Sequence, residues 1–302
     1  MNASASPLFV SRFGLDGALH TLLCIHGIES HGLRYIALAE RLGAGVRVVA
    51  PDLRGHGRSL KVGPWTLEQH LEDLLPLLSE TADLPVLLGH SYGGLLAWEL
   101  ARSAPESISA LILADPAIGV SADLAEASVT YDYSSVGHSW PDHASVFADF
   151  VSARPPSGAW SAALDAATTV ERGEDGLLRP VVAPDAVAAG WRQMSKPLRA
   201  SSWNGPTLLI EAGREHGAFA SPAVISAMRN QLGPRFQHIV LDVTHTIPSD
   251  HPDELAEAVS QFLDMSSERS PDRGVEPVHQ ASNDFESSGR LARVAQDDAR
   301  CP

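Results

Sequence analysis

Short apolar runs alternate with helix-like stretches through the N-terminal part of the chain. The runs lack polar alternation and are bounded by turn residues: TLLCIHG (21–27), VRVVAPD (46–52), PVLLGHS (85–91) and ISALILADP (108–116). Such runs are typical of strands buried on both faces of a parallel sheet. Between them, apolar residues recur at helical spacing. This order predicts βαβ units and therefore an α/β fold with a doubly wound, mostly parallel sheet.

The strand pattern stops after Pro116 and resumes at PTLLIEAG (206–213) and FQHIVLDV (236–243). The intervening stretch is rich in Ala, Ser and Asp and contains helix-like pieces but no obvious strand. We therefore expect a core made of residues 1–117 and 204–265, with a helical cap inserted at 118–203.

Aromatic residues are scattered through this predicted cap, and Trp140, Phe150 and Trp191 are among them. They fit either a small core of the cap itself or a wall of a substrate pocket. After a last amphipathic helix at 252–265, the segment 266–302 is polar, punctuated by Pro and Gly and poor in aromatic residues. That composition predicts a disordered tail.

Composition argues against several kinds of partner. The 302 residues carry a formal net charge of −15 without a cluster of Lys and Arg, so nucleic acid is not an expected partner. No apolar run approaches the ~20 residues of a membrane span, and the N-terminus does not resemble a secretory signal. Of the two cysteines, Cys24 lies in a strand-like run and Cys301 next to the chain end, which argues against a disulfide. We predict a cytoplasmic protein.

The hexapeptide GHSYGG (89–94) stands between a predicted strand and a predicted helix. In this context G-x-S-x-G is typical of a nucleophile elbow, a sharp turn that exposes a serine at a helix N-terminus. Glycines remove Cβ atoms that would collide in the turn, and the unpaired N–H groups of the helix favour developing negative charge. The pattern also occurs in structural turns, but its context favours Ser91 as a nucleophile.

Three further blocks accompany the elbow in order: CIHG (24–27), VVAPDLRGHGRS (48–59) and HTIPSDHPDELAEAVSQFL (245–263). With them, residues 20–265 resemble the α/β-hydrolase superfamily, in particular its lipase, esterase and haloperoxidase-like members. The resemblance implies that Ser91 is the nucleophile and His245 its general base. It also implies an oxyanion hole made by the backbone N–H groups of Ile28 and Tyr92.

The acid of the expected triad is not clear from the family pattern. Relatives carry an Asp in a G-x-x-D loop after the penultimate strand, whereas EAGREHG here places His216 at that position and Glu215 before it. Asp115, at the end of the run LILADPA, could replace the missing acid, and so could Glu215. We favour Asp115 over Glu215. A degenerate triad with weak activity is a third alternative.

A serine at the elbow, rather than an aspartate, disfavours haloalkane dehalogenase and epoxide hydrolase chemistry. The first functional hypothesis is a carboxylesterase or lipase that acts through an acyl-enzyme on a small-molecule acyl substrate, a small to medium ester. A thioesterase, lactonase, amidase or C–C bond hydrolase of the same fold is an alternative. The rival class is a non-catalytic binding protein. The motifs imply no metal or organic cofactor.

Overall fold

The computed structural model describes residues 7–80, 83–154 and 158–268. Within these ranges, nine strands form a seven-stranded and a two-stranded sheet: β1 (Val10–Phe13), β2 (His20–Ile25), β3 (Val46–Pro51), β4 (Val86–His90), β5 (Ala110–Ala114), β6 (Val170–Arg172), β7 (Leu178–Pro180), β8 (Thr207–Glu211) and β9 (Phe236–Val240). The large sheet has the order β1-β3-β2-β4-β5-β8-β9. Only β1 pairs antiparallel within it. The predicted mostly parallel sheet is confirmed.

The apolar runs of the sequence became strands because both faces of the sheet are covered. Every residue of β4, β5 and β8 is buried, so these strands have no solvent face that would select alternating polar residues. β1 was not predicted from the sequence. Its four residues, VSRF, form an edge strand with mixed burial and therefore lack a continuous apolar run.

The described part of the chain also contains ten α-helices, which surround the strands: α1 (Ile36–Leu42), α2 (Leu67–Leu78), α3 (Tyr92–Ser103), α4 (Ala122–Val136), α5 (His143–Ser152), α6 (Ala159–Thr168), α7 (Pro184–Met194), α8 (Pro222–Leu232), α9 (Ile247–Asp250) and α10 (Pro252–Glu268). Side chains of α2, α3 and α8 share one core cluster with one face of the large sheet. Those of α1 and α10 share a second cluster with the other face. This arrangement makes the fold doubly wound.

Residues 118–203, which we call the cap segment, lie between the neighbouring strands β5 and β8. They contain α4 to α7 and also the antiparallel pair β6–β7, which the sequence did not predict. Each of these strands has three residues, too few to show an alternating pattern. Beyond the cap segment, α10 runs through Glu268, so the tail predicted at 266–302 lies outside the described residues from position 269 onward.

No described helix combines the length and the apolar character that crossing a membrane requires.

A buried carboxylate ties together the loops that follow β2 and β3. Asp52 is fully buried, and its Oδ1 and Oδ2 atoms accept hydrogen bonds of 2.8 Å from the Gly32 and Arg58 N–H groups, respectively. Gly57 adopts φ +49° beside it, where an added Cβ would lie 2.3 Å from Asp52 Oδ2. The motif VVAPDLRGHGRS thus encodes a carboxylate-centred turn rather than a reactive group.

Three buried histidines lie beneath the loops at the carboxyl ends of β2 and β3. The rings of His26 and His56 meet edge to face at 5.3 Å, and His70 meets Tyr92 in the same way at 5.7 Å. Burial lowers the pKa of His56 and of His70 to about 4, and that of His26 well below its usual value. These three rings are therefore neutral at pH 7.

We expect Asp52→Asn to destabilise the fold. The amide group of Asn would turn its NH₂ toward one of the two backbone N–H donors and leave that donor unpaired. The free energy of unfolding should fall by roughly 1–3 kcal/mol, measured by urea denaturation. As a control, Asp16→Asn changes a carboxylate that is 92% exposed, and it should leave stability almost unchanged. Equal stability of the Asp52→Asn variant and the parent would contradict this account.

The buried histidines predict a loss of stability in mild acid. An unfolded histidine takes up its proton near pH 6.5, whereas folded His56 and His70 do so only near pH 4. Because the unfolded state binds more protons in this window, the free energy of unfolding falls as the pH drops, by up to about 1.4 kcal/mol per pH unit for each histidine.

The pH dependence can be measured by urea denaturation from about pH 7.5 to about pH 5. In a His70→Gln variant one titrating group is gone, so stability should fall less steeply with decreasing pH than in the parent. Parallel profiles for the two proteins would show that His70 is not the buried neutral group described above.

Candidate active site

Ser91 occupies a sharp turn between β4 and α3. Its backbone has φ 54° and ψ −119°, a left-handed conformation rare for a residue with a side chain. The turn is possible because the residues two positions before and two positions after Ser91 are glycines. A Cβ on Gly89 would lie 2.2 Å from the Gly93 carbonyl oxygen, and one on Gly93 would lie 2.1 Å from the Ile25 carbonyl oxygen. The strand–turn–helix context expected for the elbow is thus present.

Asp115 and His245 form a close hydrogen-bonded pair. The Nδ1 atom of His245 lies 2.6 Å from Oδ2 of Asp115, which follows directly after β5 and is buried. The Asp115 carboxylate also accepts the N–H groups of Phe219 and Ala220, each at 3.1 Å. Burial would raise the pKa of Asp115, but the hydrogen bond from His245 and these backbone N–H groups lower it overall.

The ionised carboxylate determines the tautomer of the histidine. Because a carboxylate only accepts hydrogen bonds, Nδ1 of His245 carries a proton and Nε2 of the neutral ring is free to accept one. The ring of Phe219 packs against that of His245, with 4.4 Å between their centroids. The pair therefore presents an oriented general base.

Glu215, the other acid considered from the sequence, lies elsewhere. It is exposed on the turn Arg214–His216, which follows β8. Of the two candidate acids, the structure thus brings Asp115 to His245 and leaves Glu215 at the surface.

His90 links the elbow to the loop of His245. Its Nε2–H donates to the His245 carbonyl oxygen at 2.7 Å, and the two rings lie 4.8 Å apart. Burial, with the nearby His245 ring as the next cause, lowers the pKa of His90 to about 3, so the ring is neutral. The partner of His90 lies 155 positions later in the chain, so no local sequence pattern indicates this hydrogen bond.

His26 orients the peptide between Gly27 and Ile28. The Leu53 N–H group donates to Nε2 of His26 at 2.8 Å, so the ring proton is on Nδ1, which donates to the Gly27 carbonyl oxygen at 2.7 Å. Because a trans peptide is planar, fixing the Gly27 carbonyl also fixes the direction of the Ile28 N–H group. The same segment lies beside the elbow, since a Cβ on Gly27 would be 3.4 Å from Ser91 Oγ.

The second expected oxyanion donor, the Tyr92 N–H group, belongs to the first residue of α3. Its position directly after Ser91 places it at the N-terminal end of the helix, where backbone N–H groups lack intrahelical acceptors. Ile28 and Tyr92 thus approach Ser91 from the β2 loop and from α3, respectively.

A cavity of about 440 Å³ lies between side chains of the cap segment and loops of the core. Ile28 and Thr246, the neighbour of His245, contribute to its wall. Its apolar lining includes Ile28, Trp140, Phe150, Val181 and Val182, and its charged lining includes Glu29, Arg34, Asp149, Arg154 and Asp165. A volume of this size suits a small organic molecule.

The cap aromatics serve both purposes considered from the sequence. Trp140 belongs to a small core cluster of the cap segment with Phe150 packed against it, and both also line the cavity. Trp191 instead packs against Phe219, with 5.9 Å between the ring centroids. An aromatic contact thus extends from α7 to the ring that covers His245.

Within the described ranges, no three His, Cys, Asp or Glu side chains come together as a metal-binding group.

Comparison with known proteins gives relatives over most of the chain. Lipase LipV from Mycobacterium tuberculosis is 29% identical over 263 residues, which cover 85% of this chain and 97% of the lipase. The sn-1-specific diacylglycerol lipase ABHD11 from Mus musculus is 28% identical over 290 residues, 87% of each chain.

The fold is also similar to solved structures. E-2-(acetamidomethylene)succinate hydrolase matches with a TM-score of 0.73 at 22% identity, over 85% of this chain and 95% of that chain. The sequence model of the alpha/beta hydrolase family matches residues 22–258, well over half of the protein. The chain therefore belongs to the alpha/beta hydrolase family.

Proposed function

We propose that this hydrolase cleaves small to medium carboxylic esters through an acyl-enzyme, with Ser91 as nucleophile, His245 as base and Asp115 as acid. The observation that carries the proposal is the 2.6 Å hydrogen bond from His245 Nδ1 to the buried Asp115 carboxylate. It orients the His245 imidazole at the end of β5, and Ser91 stands at the elbow that follows the neighbouring strand β4. A serine, a histidine and a carboxylate that orients the histidine are the groups that serine acyl transfer requires.

In the acylation half, Ser91 Oγ attacks the ester carbonyl carbon while His245 Nε2 takes the hydroxyl proton. The imidazolium that forms is stabilised by Asp115, which remains ionised. When the tetrahedral intermediate collapses, the bond from the carbonyl carbon to the alcohol oxygen breaks. His245 then returns its proton to the leaving alcohol.

The Ile28 and Tyr92 backbone N–H groups would stabilise the negative oxygen of the intermediate. One such donor typically contributes about 3 kcal/mol of transition-state stabilisation. His26 supports this role by holding the Gly27 carbonyl.

In the deacylation half, water takes the place of the alcohol. His245 removes a proton from the water as its oxygen attacks the acyl carbon, and the proton passes to Ser91 Oγ when the acyl bond breaks. The carboxylic acid leaves, and the free enzyme is restored.

The cavity supports a substrate of limited size. Its volume of about 440 Å³ suits an acyl or alcohol group of a few carbon atoms to drug-like size rather than a polymer, and its walls offer both apolar and charged side chains. Both relatives named above are lipases, which supports ester bonds as the first class of substrate to assay. The cytoplasmic location expected from the sequence stays a prediction.

We expect Ser91→Ala to abolish turnover of p-nitrophenyl acetate and p-nitrophenyl butyrate, because the Ser91 hydroxyl group forms the acyl-enzyme in the proposed mechanism. A fluorophosphonate probe should label the parent protein and not the variant. Ser79→Ala, at an exposed serine, serves as control and should retain activity and labelling. Equal turnover by the parent and Ser91→Ala would favour the non-catalytic alternative.

Asp115→Asn should lower kcat by about a thousandfold or more, since an amide cannot hold the Nδ1–H tautomer and stabilise the imidazolium. Glu215→Gln should leave kcat unchanged within assay error. Both variants can be assayed with the same esters after the active sites are titrated with the fluorophosphonate. The opposite ranking of the two variants would transfer the role of acid to Glu215.

A further inference from the structure

One face of α7 packs directly on the loops around the elbow. Its residues are Ala186, Gly190 and Gln193. Spacings of four and then three residues place side chains along one stripe of a helix. Ala186 lies on Gly55, where an added Cβ would be 2.4 Å from the Ala186 methyl carbon. The stripe thus brings the helix of the cap segment into van der Waals contact with the core.

Gly190 lies over the side chain of Ile28. A Cβ at position 190 would be 2.3 Å from Cδ1 of Ile28 and 3.7 Å from Cζ of Tyr92. Any larger residue would therefore displace the Ile28 side chain, whose backbone N–H group is one proposed oxyanion donor. The absence of a side chain at this position lets α7 cover both donor residues.

Gln193 holds the other donor residue through its side chain. Its Nε2 donates to the Trp65 carbonyl oxygen at 2.7 Å, which leaves Oε1 to accept the Tyr92 hydroxyl group, also at 2.7 Å. Tyr92 is fully buried, and burial raises the pKa of its hydroxyl group, so the group stays protonated and donates. The amide thus joins α7, the loop before α2 and the first residue of α3.

We propose that α7 sets the oxyanion hole, with Gln193 and Gly190 as positioning residues for the Tyr92 and Ile28 backbone N–H groups. The inference rests on the proposed function and extends it to the cap segment. A catalytic hydrogen-bond donor is effective only when neighbouring residues hold it within about 0.5 Å of its productive position. A helix in contact with the side chains of both donor residues provides that support, so the cap segment contributes to the rate as well as enclosing the cavity.

The principal test is Gln193→Met, which keeps the length of the side chain and removes both hydrogen bonds. Donors aimed at the oxyanion stabilise the transition state more than the ground state, so kcat should fall at least about tenfold while KM stays within about threefold. Rates are referred to active sites titrated with the fluorophosphonate, which removes any misfolded fraction from the comparison.

A transition-state analogue separates positioning from a merely structural role. A trifluoromethyl ketone forms a hemiketal with Ser91, and its negative oxygen occupies the oxyanion hole. Its inhibition constant should rise by the same factor as kcat/KM falls. A variant that is only less stable would show a lower melting temperature and an unchanged inhibition constant per active site.

Two further variants test whether α7 acts on kcat through the side chains of Tyr92 and Ile28. In a Tyr92→Phe background, Gln193→Met should lower kcat much less than in the parent, because the hydroxyl group through which Gln193 acts is already absent. Gly190→Ala should lower kcat independently, through Ile28, and it tests the proposal even if Gln193→Met does not fold. Arg192→Met on the same helix removes a surface ion pair with Glu126 and should leave kcat unchanged.

The outcomes are distinct. Unchanged kcat and inhibition constant in both Gln193→Met and Gly190→Ala would overturn the inference while leaving the Ser91 assignment intact. A rise in KM alone would also overturn it, because α7 would then act on substrate binding. If Ser91→Ala retains turnover, the proposed function fails, and this inference fails with it.

Discussion

Ser91 keeps its left-handed backbone because the strand before it and the helix after it pack too closely for another path. Its N–H group donates to the Ala114 carbonyl at 3.1 Å, and its own carbonyl accepts the Gly94 and Ala117 N–H groups at 2.9 and 3.1 Å. A non-glycine residue in such a conformation costs of order 1–3 kcal/mol, which the surrounding packing must offset. The site depends on this turn, because it places the Ser91 hydroxyl group near the carboxyl ends of the two neighbouring strands, β2 and β5.

Backbone strain is concentrated at those strand ends. Among the described residues, the non-glycine positions with positive φ are Glu29, Ser91 and Asp115. They follow β2, β4 and β5, which are adjacent in the sheet. The parallel pairing of these strands brings their carboxyl ends to one edge of the sheet. The three residues with positive φ therefore all lie in loops at that edge. The stability of the buried sheet thus offsets the cost of three unfavourable backbone conformations at the proposed active site.

The sequence predicted the sheet and the elbow well because both depend on local patterns. Fully buried strands need continuous apolar runs, and a sharp turn needs Gly89 and Gly93. It favoured Asp115 over Glu215 but could not establish the choice, since that choice depends on which strand end the His245 loop reaches. The supporting roles of His26 and His90 were also missed. Their partners are backbone groups, which no sequence pattern marks.

The place of the cap segment in the chain has an evolutionary consequence. Because β5 and β8 are parallel neighbours, the insertion leaves the carboxyl end of β5 and must return to the amino end of β8. The length of the segment between these two points can change at a small entropic cost, with little effect on the strands. The contacts of Gly190 and Gln193 restrict that freedom, since a replacement must restore them to keep the rate. New substrate ranges would then arise more readily by changes in α5 and α6 than by loss of α7.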